Sequence, residues 1–402
     1  MKMTREKLAE FDILRTISIL IVVILIHIPN NYAYPFYIDL SPYTGYLLHT
    51  LGIDVAMGSF AFLSGFSLYL KKDNRNINSP SRLKRFLKKR FLRIFPLYWI
   101  ALIVFLILIA DPDINFLFVL AHIFGLQIIV APIYGYPILT LWFIGIIVIY
   151  YLIFIILSFM GSLKKIIPSA LAILFFFVIL NLNFGLVDYR FFLYYIIFIV
   201  GIIGADIYIS PQFNKFKEFL INKNRFMPLF IALFITILSM GLYFFFAHLV
   251  YTTFNSQYGT QFIPVILDMQ PGIIESATAV LMIDLIIITY IIFSLSLYYF
   301  VMKGLRMIFK KEKLSKAFSL LAFSSYCVYL FHRPFIMLLS SITTGIFNID
   351  MYARANFYIA LLFVPIIFLL SYFVQKAIDW ILNWASRREK NRNAIEVIVP
   401  PA

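Results

Sequence analysis

The sequence predicts an all-α integral membrane protein of about ten transmembrane helices, both termini cytoplasmic, with one re-entrant or interfacial segment near 116–133. Three observations predict it. Of the 402 residues, 62% are hydrophobic and 13% charged, whereas soluble domains run about 45–50% apolar and about 25% charged. Apolar runs of about 18 residues or more recur along the whole chain, as helical spans require and β-barrel strands do not. Finally, thirty of the 34 Lys and Arg residues fall in alternate loops.

In order, the spans are expected at 11–29, 45–70, 94–110, 138–161, 166–184, 191–209, 228–250, 278–302, 317–342 and 355–382. The N-terminus carries three basic residues, Lys71 to Arg93 ten, Lys164 and Lys165 two, Lys215 to Arg225 four, Lys303 to Lys316 six and Lys376 to Arg392 five. With ten spans and both termini inside, all thirty fall on the cytoplasmic face. Loops 30–44, 111–137 and 251–277 on the other side contain no Lys or Arg. The apolar segment Phe116–Ile133 would invert this alternation if it crossed, and Pro132, Gly135 and Pro137 break it. It is therefore expected to enter and leave on the outer side. Residues 1–386 form a single transmembrane domain, and 387–402 a short cytoplasmic tail.

Several classes of function are set aside. The net charge of +15 belongs to a cytoplasmic face beside anionic lipid rather than to a nucleic-acid patch. A lone cysteine, Cys327, forms no internal disulfide, and Cys/His metal spacing is absent. No Walker or dinucleotide glycine pattern points to nucleotide-driven transport. The first apolar stretch is too long and too polar, with Arg15 and His27, to be a removable signal peptide.

Polar residues inside spans carry the functional argument, because they are costly there. Arg15 and His27 share the first span, roughly 18 Å apart along an ideal helix axis. Arg15 either pairs with Asp12 three residues before it, at the interface, or binds something from the cytoplasm. His27 is either an interfacial side chain or a general base. Arg90 and Arg93, with Lys84, Lys88 and Lys89 nearby, stand just before Pro96; arginine forks suit phosphate oxygens. Asp284 is the most plainly buried acid, either orienting a histidine or satisfying a neighbouring span. Asp54, one turn after His49, is a candidate for an acceptor entrance. Arg333 lies within the ninth span, and His332 and Arg333 adjoin Pro334, where the helix is expected to open locally. His122 and His248 show no sequence partner. Arg190 and Arg354 open spans on the outer side and read as interface anchors.

Five stretches in order extend this reading: LR with a following His in the first span, FAFLSGFSLYLKK (Phe60–Lys72), RFLKKRFLRIFPLYW (Arg85–Trp99), LWFIG (Leu141–Gly145) and SYCVYLFHRPF (Ser325–Phe335). Together they resemble the integral-membrane acyltransferase-3 family over the whole chain. The resemblance implies transfer of an acetyl or other short acyl group from cytoplasmic acyl-CoA, as co-substrate and with no bound cofactor or metal, to a hydroxyl of a cell-surface or exported glycan. It implies catalytic roles for Arg15 and His27 and acyl-CoA binding by Arg15, Arg90 and Arg93. It maps an SGF turn onto Ser64, Gly65 and Phe66, and a tyrosine-rich segment onto Tyr326, Tyr329 and His332. Asp284, Asp54, Tyr329, His332, Trp142 and Ser64 are the candidates for acceptor contact or support. The expected partners are the bilayer, acyl-CoA, a glycan acceptor that is lipid-linked in one version, and proteins of glycan synthesis; the location is a prokaryotic plasma membrane. A non-catalytic exporter or flippase of glycan is the alternative, and a scaffold for glycan synthesis a third reading.

Two departures stand out. The family usually separates its Arg and His by ten residues, whereas eleven intervene here. On an ideal helix that moves their angular offset from about 20° to about 120°; a π-bulge or the length of the Arg side chain would restore it. After Trp142 the sequence FIGIIVIYY also lacks the acid or amide that many members carry.

Overall fold

The computed structural model describes residues 9–28, 42–109, 115–135, 137–138, 140–211, 227–253, 289, 311–349 and 357–398. Every extended element among them is helical, as hydrocarbon demands: only a helix or a closed barrel satisfies each backbone N–H and C=O within itself. The eighth expected span, with Asp284, lies outside these residues apart from Thr289, as do Arg354 and the loop following Thr253.

The first span folds as α1 (Ala9–Leu20), which continues without interruption into a π-helix over Ile21–His27. Its i→i+5 bonds put roughly one more residue into each turn than an α-helix does. That takes up the additional residue between Arg15 and His27, the adjustment the sequence spacing requires. α2 (Pro42–Leu70) follows. Its last carbonyls are closed by the 3-10 turn Lys72–Asn74: Asn74 donates to Leu68 O at 2.9 Å, and Arg75 to Tyr69 O at 2.9 Å and Leu70 O at 3.1 Å. The SGF stretch is not a turn. Ser64, Gly65 and Phe66 lie within unbroken helix.

The remaining helices are α3 (Pro80–Ile109), α4 (Phe116–Phe124), α5 (Gln127–Tyr134), α6 (Trp142–Ser158), α7 (Leu163–Phe184), α8 (Tyr189–Ile209), α9 (Met227–Thr253), α10 (Lys311–Phe347) and α11 (Phe357–Ile398). Helix thus occupies the other nine expected spans. Among the described residues, six stretches are long and apolar enough to cross a bilayer: Gly52–Leu70, Pro80–Leu108, Leu163–Phe184, Arg190–Ile209, Lys316–Phe347 and Tyr358–Trp384. Trp142–Ser158 and Leu229–Leu242 are shorter apolar helices. α11 runs as helix to Ile398, through most of the expected tail.

Three seams build the core. α2 and α8 pack backbone to backbone because Gly65 and Gly201 face across the contact. A Cβ on Gly65 would overlap the Phe198 carbonyl, and one on Gly201 the Phe62 carbonyl. Hydrogen bonds close both ends of this seam: Tyr194 to Asp54 at 3.1 Å and Tyr69 to Asp206 at 3.0 Å. α1 packs between α2 and α10, and α10 against α11. The pairings Thr16–Phe318 and His27–Arg333 make α1 and α10 parallel, and the α2–α8 bonds make that pair parallel too. Both directions agree with the alternation of basic loops.

The segment 116–134 is a helical hairpin. α4 has nine residues and α5 eight, roughly 13 Å each at ~1.5 Å per residue, far short of the ~30 Å hydrocarbon core. Gly125, at φ 70°, makes the turn against Val148, within α6. Tyr98 and Trp99 of α3 donate to the carbonyls of His122 and Ile123 at 2.7 and 2.9 Å. His122 is fully buried, its Nδ1 donating to Phe118 O at 2.8 Å and its Nε2 accepting from Ile138 N–H at 3.1 Å. Both ring nitrogens are thereby used, and His122 pins the hairpin to Ile138, shortly before α6.

Candidate functional site

Arg15 sits on α1 with Asp12 at 3.3 Å, a spacing of three residues on one face. The contact expected from the sequence exists, yet the guanidinium is not confined to it. Arg15, Arg90 and Arg93 all line one cavity of about 460 Å³, enclosed by α1, α2, α3, α6, α10 and α11. Arg90 and Arg93 come one helical turn apart on α3. Arg90 is wedged between the rings of Phe86 and Tyr151, each 5.4 Å from its guanidinium carbon, which holds the side chain while leaving the charge uncancelled. Among the described residues no carboxylate pairs with Arg90 or Arg93. Among the described residues two acids line the cavity, Asp12 beside Arg15, and Asp379, which accepts from Gln375 at 3.0 Å. Three arginines against two carboxylates make this described lining net positive, and Arg93 is exposed.

Ser64 of α2 and Tyr326 and Tyr329 of α10 also line this cavity. Tyr326 donates to Ile94 O at 2.9 Å, on the carbonyl of the residue following Arg93, so α10 is keyed to the arginine turn of α3. Tyr329 donates to Thr140 O, just before α6. Tyr329 therefore marks the inner wall of the cavity, and one turn beyond it along α10 comes His332.

There the first span meets α10 again. The His27 and His332 rings stack with centroids 4.7 Å apart and 29° between planes. Arg333 donates from its terminal nitrogen to His27 Nδ1 at 2.9 Å. His332 is fully buried and directs Nδ1 at two carbonyls, Val328 O at 3.0 Å and Tyr329 O at 2.9 Å. Its Nε2 is buried with no hydrogen-bond partner among the described residues. Pro334 follows within α10, and its ring nitrogen leaves one turn of that helix without a backbone donor.

The other sequence candidates lie apart from this pair. Asp54 is buried and accepts from Tyr194; Tyr194 stacks on Trp142, with ring centroids 6.0 Å apart, and Arg190 covers Trp142 at 5.1 Å while forking onto Asp188 with two bonds of 2.8 Å. Arg190 is thus more than an interface anchor: it joins Trp142 and Asp54 in one polar cluster between α2, α6 and α8. Phe143 touches both Tyr194 and Tyr329, linking this cluster to the cavity wall. Tyr151 and Asp379 are the site residues that sequence reasoning did not single out. Arg333 carried a signal, a cation within an apolar span, but its partner is 306 residues away.

A membrane protein, helical throughout its described elements, that gathers cations at one level of its core and paired imidazoles at another belongs, by fold and site together, to the class of membrane-embedded proteins with polar groups held between their helices. The chain belongs to the acyltransferase-3 family: the family model Acyl_transf_3, described as an acyltransferase domain, matches residues 8–376. It is a membrane acyltransferase. No curated protein and no solved structure matches the chain.

Proposed function

We propose that this protein is a membrane O-acyltransferase that moves an acetyl or other short acyl group from cytoplasmic acyl-CoA to a hydroxyl of a cell-surface or exported glycan, in a prokaryotic plasma membrane. The observation that carries the reading is the cavity on which Arg15, Arg90 and Arg93 converge, net positive and one turn short of the His27–His332 pair. The phosphates of a CoA donor are multiply charged, and guanidinium forks bind them bidentately. Arg90 and Arg93 bind the donor and Arg15 holds it beside the first span. The acyl group then extends past Tyr329 towards the histidines, where the acceptor hydroxyl loses its proton. Ser64 and Tyr329 line the donor's path. Trp142 and Asp54, with Tyr194, form a surface suited to a sugar, an aromatic face beside a hydrogen-bonding carboxylate.

Purified protein in lipid nanodiscs, given radiolabelled acetyl-CoA and a panel of envelope glycans, is expected to release CoA and label a glycan. Labelling should disappear with Arg90→Ala/Arg93→Ala at low donor concentration. Absence of CoA binding by the wild-type protein would sink the reading.

A further inference from the structure

We propose that the rings of Phe60, Phe143 and Tyr329 form a constriction that the acyl group must thread, and that it selects donors by the thickness of that group rather than its length. The proposal rests on the acyl-CoA reading above and adds to it the kind of acyl group admitted. It starts from where the arginine cavity ends. Followed away from the arginines, the lining stops at an aromatic ring on each of three helices: Phe60 on α2, Phe143 on α6 and Tyr329 on α10. The three rings meet. Centroids lie 6.2 Å apart for Phe60 and Phe143, 6.5 Å for Phe60 and Tyr329, and 6.0 Å for Phe143 and Tyr329. Aromatic rings in contact have centroids about 4.5–7 Å apart, so the triangle is closed. His332 comes one turn further along α10, its ring 6.3 Å from that of Tyr329 and outside the cavity lining. Tyr329 thus stands between the cavity and the histidine pair.

The level of the rings suits the far end of a donor. Arg90 packs on Tyr151, which is two turns of α6 from Phe143, or roughly 12 Å along the helix axis. The linear arm joining the phosphates of a CoA donor to its thioester spans such a distance, so phosphates on the arginines bring the acyl group to the rings. The surface it meets there is hydrocarbon, because the Tyr329 hydroxyl is turned to Thr140 O.

Two of the three rings are held in place. Tyr329 is tied by that hydrogen bond, and Phe143 is flanked by Trp142 and Tyr194, with centroids 5.6 and 6.2 Å away. Both are buried. Phe60 is half-buried, and its described ring contacts are with the other two. Phe60 is therefore the leaf that swings, between the two χ1 wells open to an aromatic side chain on a helix. A gap opened by one ring is a slit. An unbranched acyl chain presents the same cross-section at any length and threads it. Methyl groups side by side on the carbon next to the carbonyl do not.

The full chain in nanodiscs is assayed for CoA release from acetyl-, butyryl- and pivaloyl-CoA, with water as the acceptor. In the wild type, butyryl-CoA is expected within about 10-fold of acetyl-CoA, and pivaloyl-CoA about 100-fold or more below it. Phe60→Ala should bring pivaloyl-CoA to within about 10-fold of acetyl-CoA, whereas loss of a ring that merely packs would lower all three in proportion. Branching also slows the chemistry itself, so the unreactive thioethers S-butyl-CoA and S-neopentyl-CoA are compared as competitors of radiolabelled CoA. The wild type should favour S-butyl-CoA about 10-fold, and Phe60→Ala should bind the two alike. Equal competition by the two thioethers in the wild type, or a preference that Phe60→Ala leaves intact, overturns the proposal. Should Phe60→Ala fail to fold, Phe60→Leu, which keeps an apolar side chain on α2, takes its place, and the wild-type comparison decides in any case. Wild-type protein that does not bind CoA would instead remove the acyl-CoA reading, and this proposal with it.

Discussion

His122 and His332 are both fully buried histidines on helices that approach α3, and their surroundings differ in one respect. In the α4–α5 hairpin both nitrogens of His122 are engaged, one giving a hydrogen to Phe118 O and one receiving it from Ile138 N–H. In the α1–α10 seam only Nδ1 of His332 is engaged. A closed set of hydrogen bonds makes an imidazole a fastening. An open position, kept at energetic cost in a buried place, makes it available for chemistry. Burial alone does not separate a structural histidine from a reactive one; the count of unfilled valences does.

The strongest way to break this comparison is to exchange the expected phenotypes. His332→Asn should lower the rate of CoA release about 10³-fold while the unfolding midpoint in nanodiscs stays near that of the wild type. His122→Ala should do the opposite. It strands the Ile138 N–H and opens a cavity, for a loss of about 2–4 kcal/mol in unfolding free energy with the turnover of the folded fraction unchanged. If His122→Ala instead lowers turnover without destabilising the protein, the distinction fails.

A smaller effect is expected at the arginine cavity. Arg93→Ala should raise the KM for acetyl-CoA about 10-fold with little change in kcat, because phosphate binding is shared by ground and transition states. The increase should shrink at high salt, where the exposed charge is screened. The smallest effect concerns acid. Burial pushes His122 down to about 4, whereas in an unfolded chain it protonates near 6.5. The unfolded state then binds more protons between these values, so stability falls as pH drops through that window. About 1 kcal/mol should be lost between pH 7 and pH 5.5, and the loss should be absent in His122→Ala.

Much of the fold was legible in the sequence for a physical reason: hydropathy and the placement of basic residues are properties of the chain alone. The hairpin at 116–134 could be foreseen because crossing there would have inverted the charge alternation, and because Pro132 and Gly135 break the run. The site was legible one residue at a time. Arg15, His27, Arg90 and Arg93 were visible as polar groups in or beside apolar helices, but their companions are far along the chain. Arg333 meets His27 across 306 positions, and Tyr326 meets Ile94 across 232. No local pattern encodes such contacts. Gly65 shows the converse error. A glycine beside a serine reads as a turn, yet here it is the flat place where two helices touch.

The π-helical stretch Ile21–His27 has a wider consequence. In an ordinary α-helix one inserted residue swings everything beyond it by ~100°, enough to turn a reactive side chain from its pocket to the lipid. Here the surplus is spread through a few widened coils, much as slack is let out along a rope, and His27 still meets α10. The span behaves as an adjustable coupling, so that the separation between its two polar groups can change in sequence while their bearing is kept.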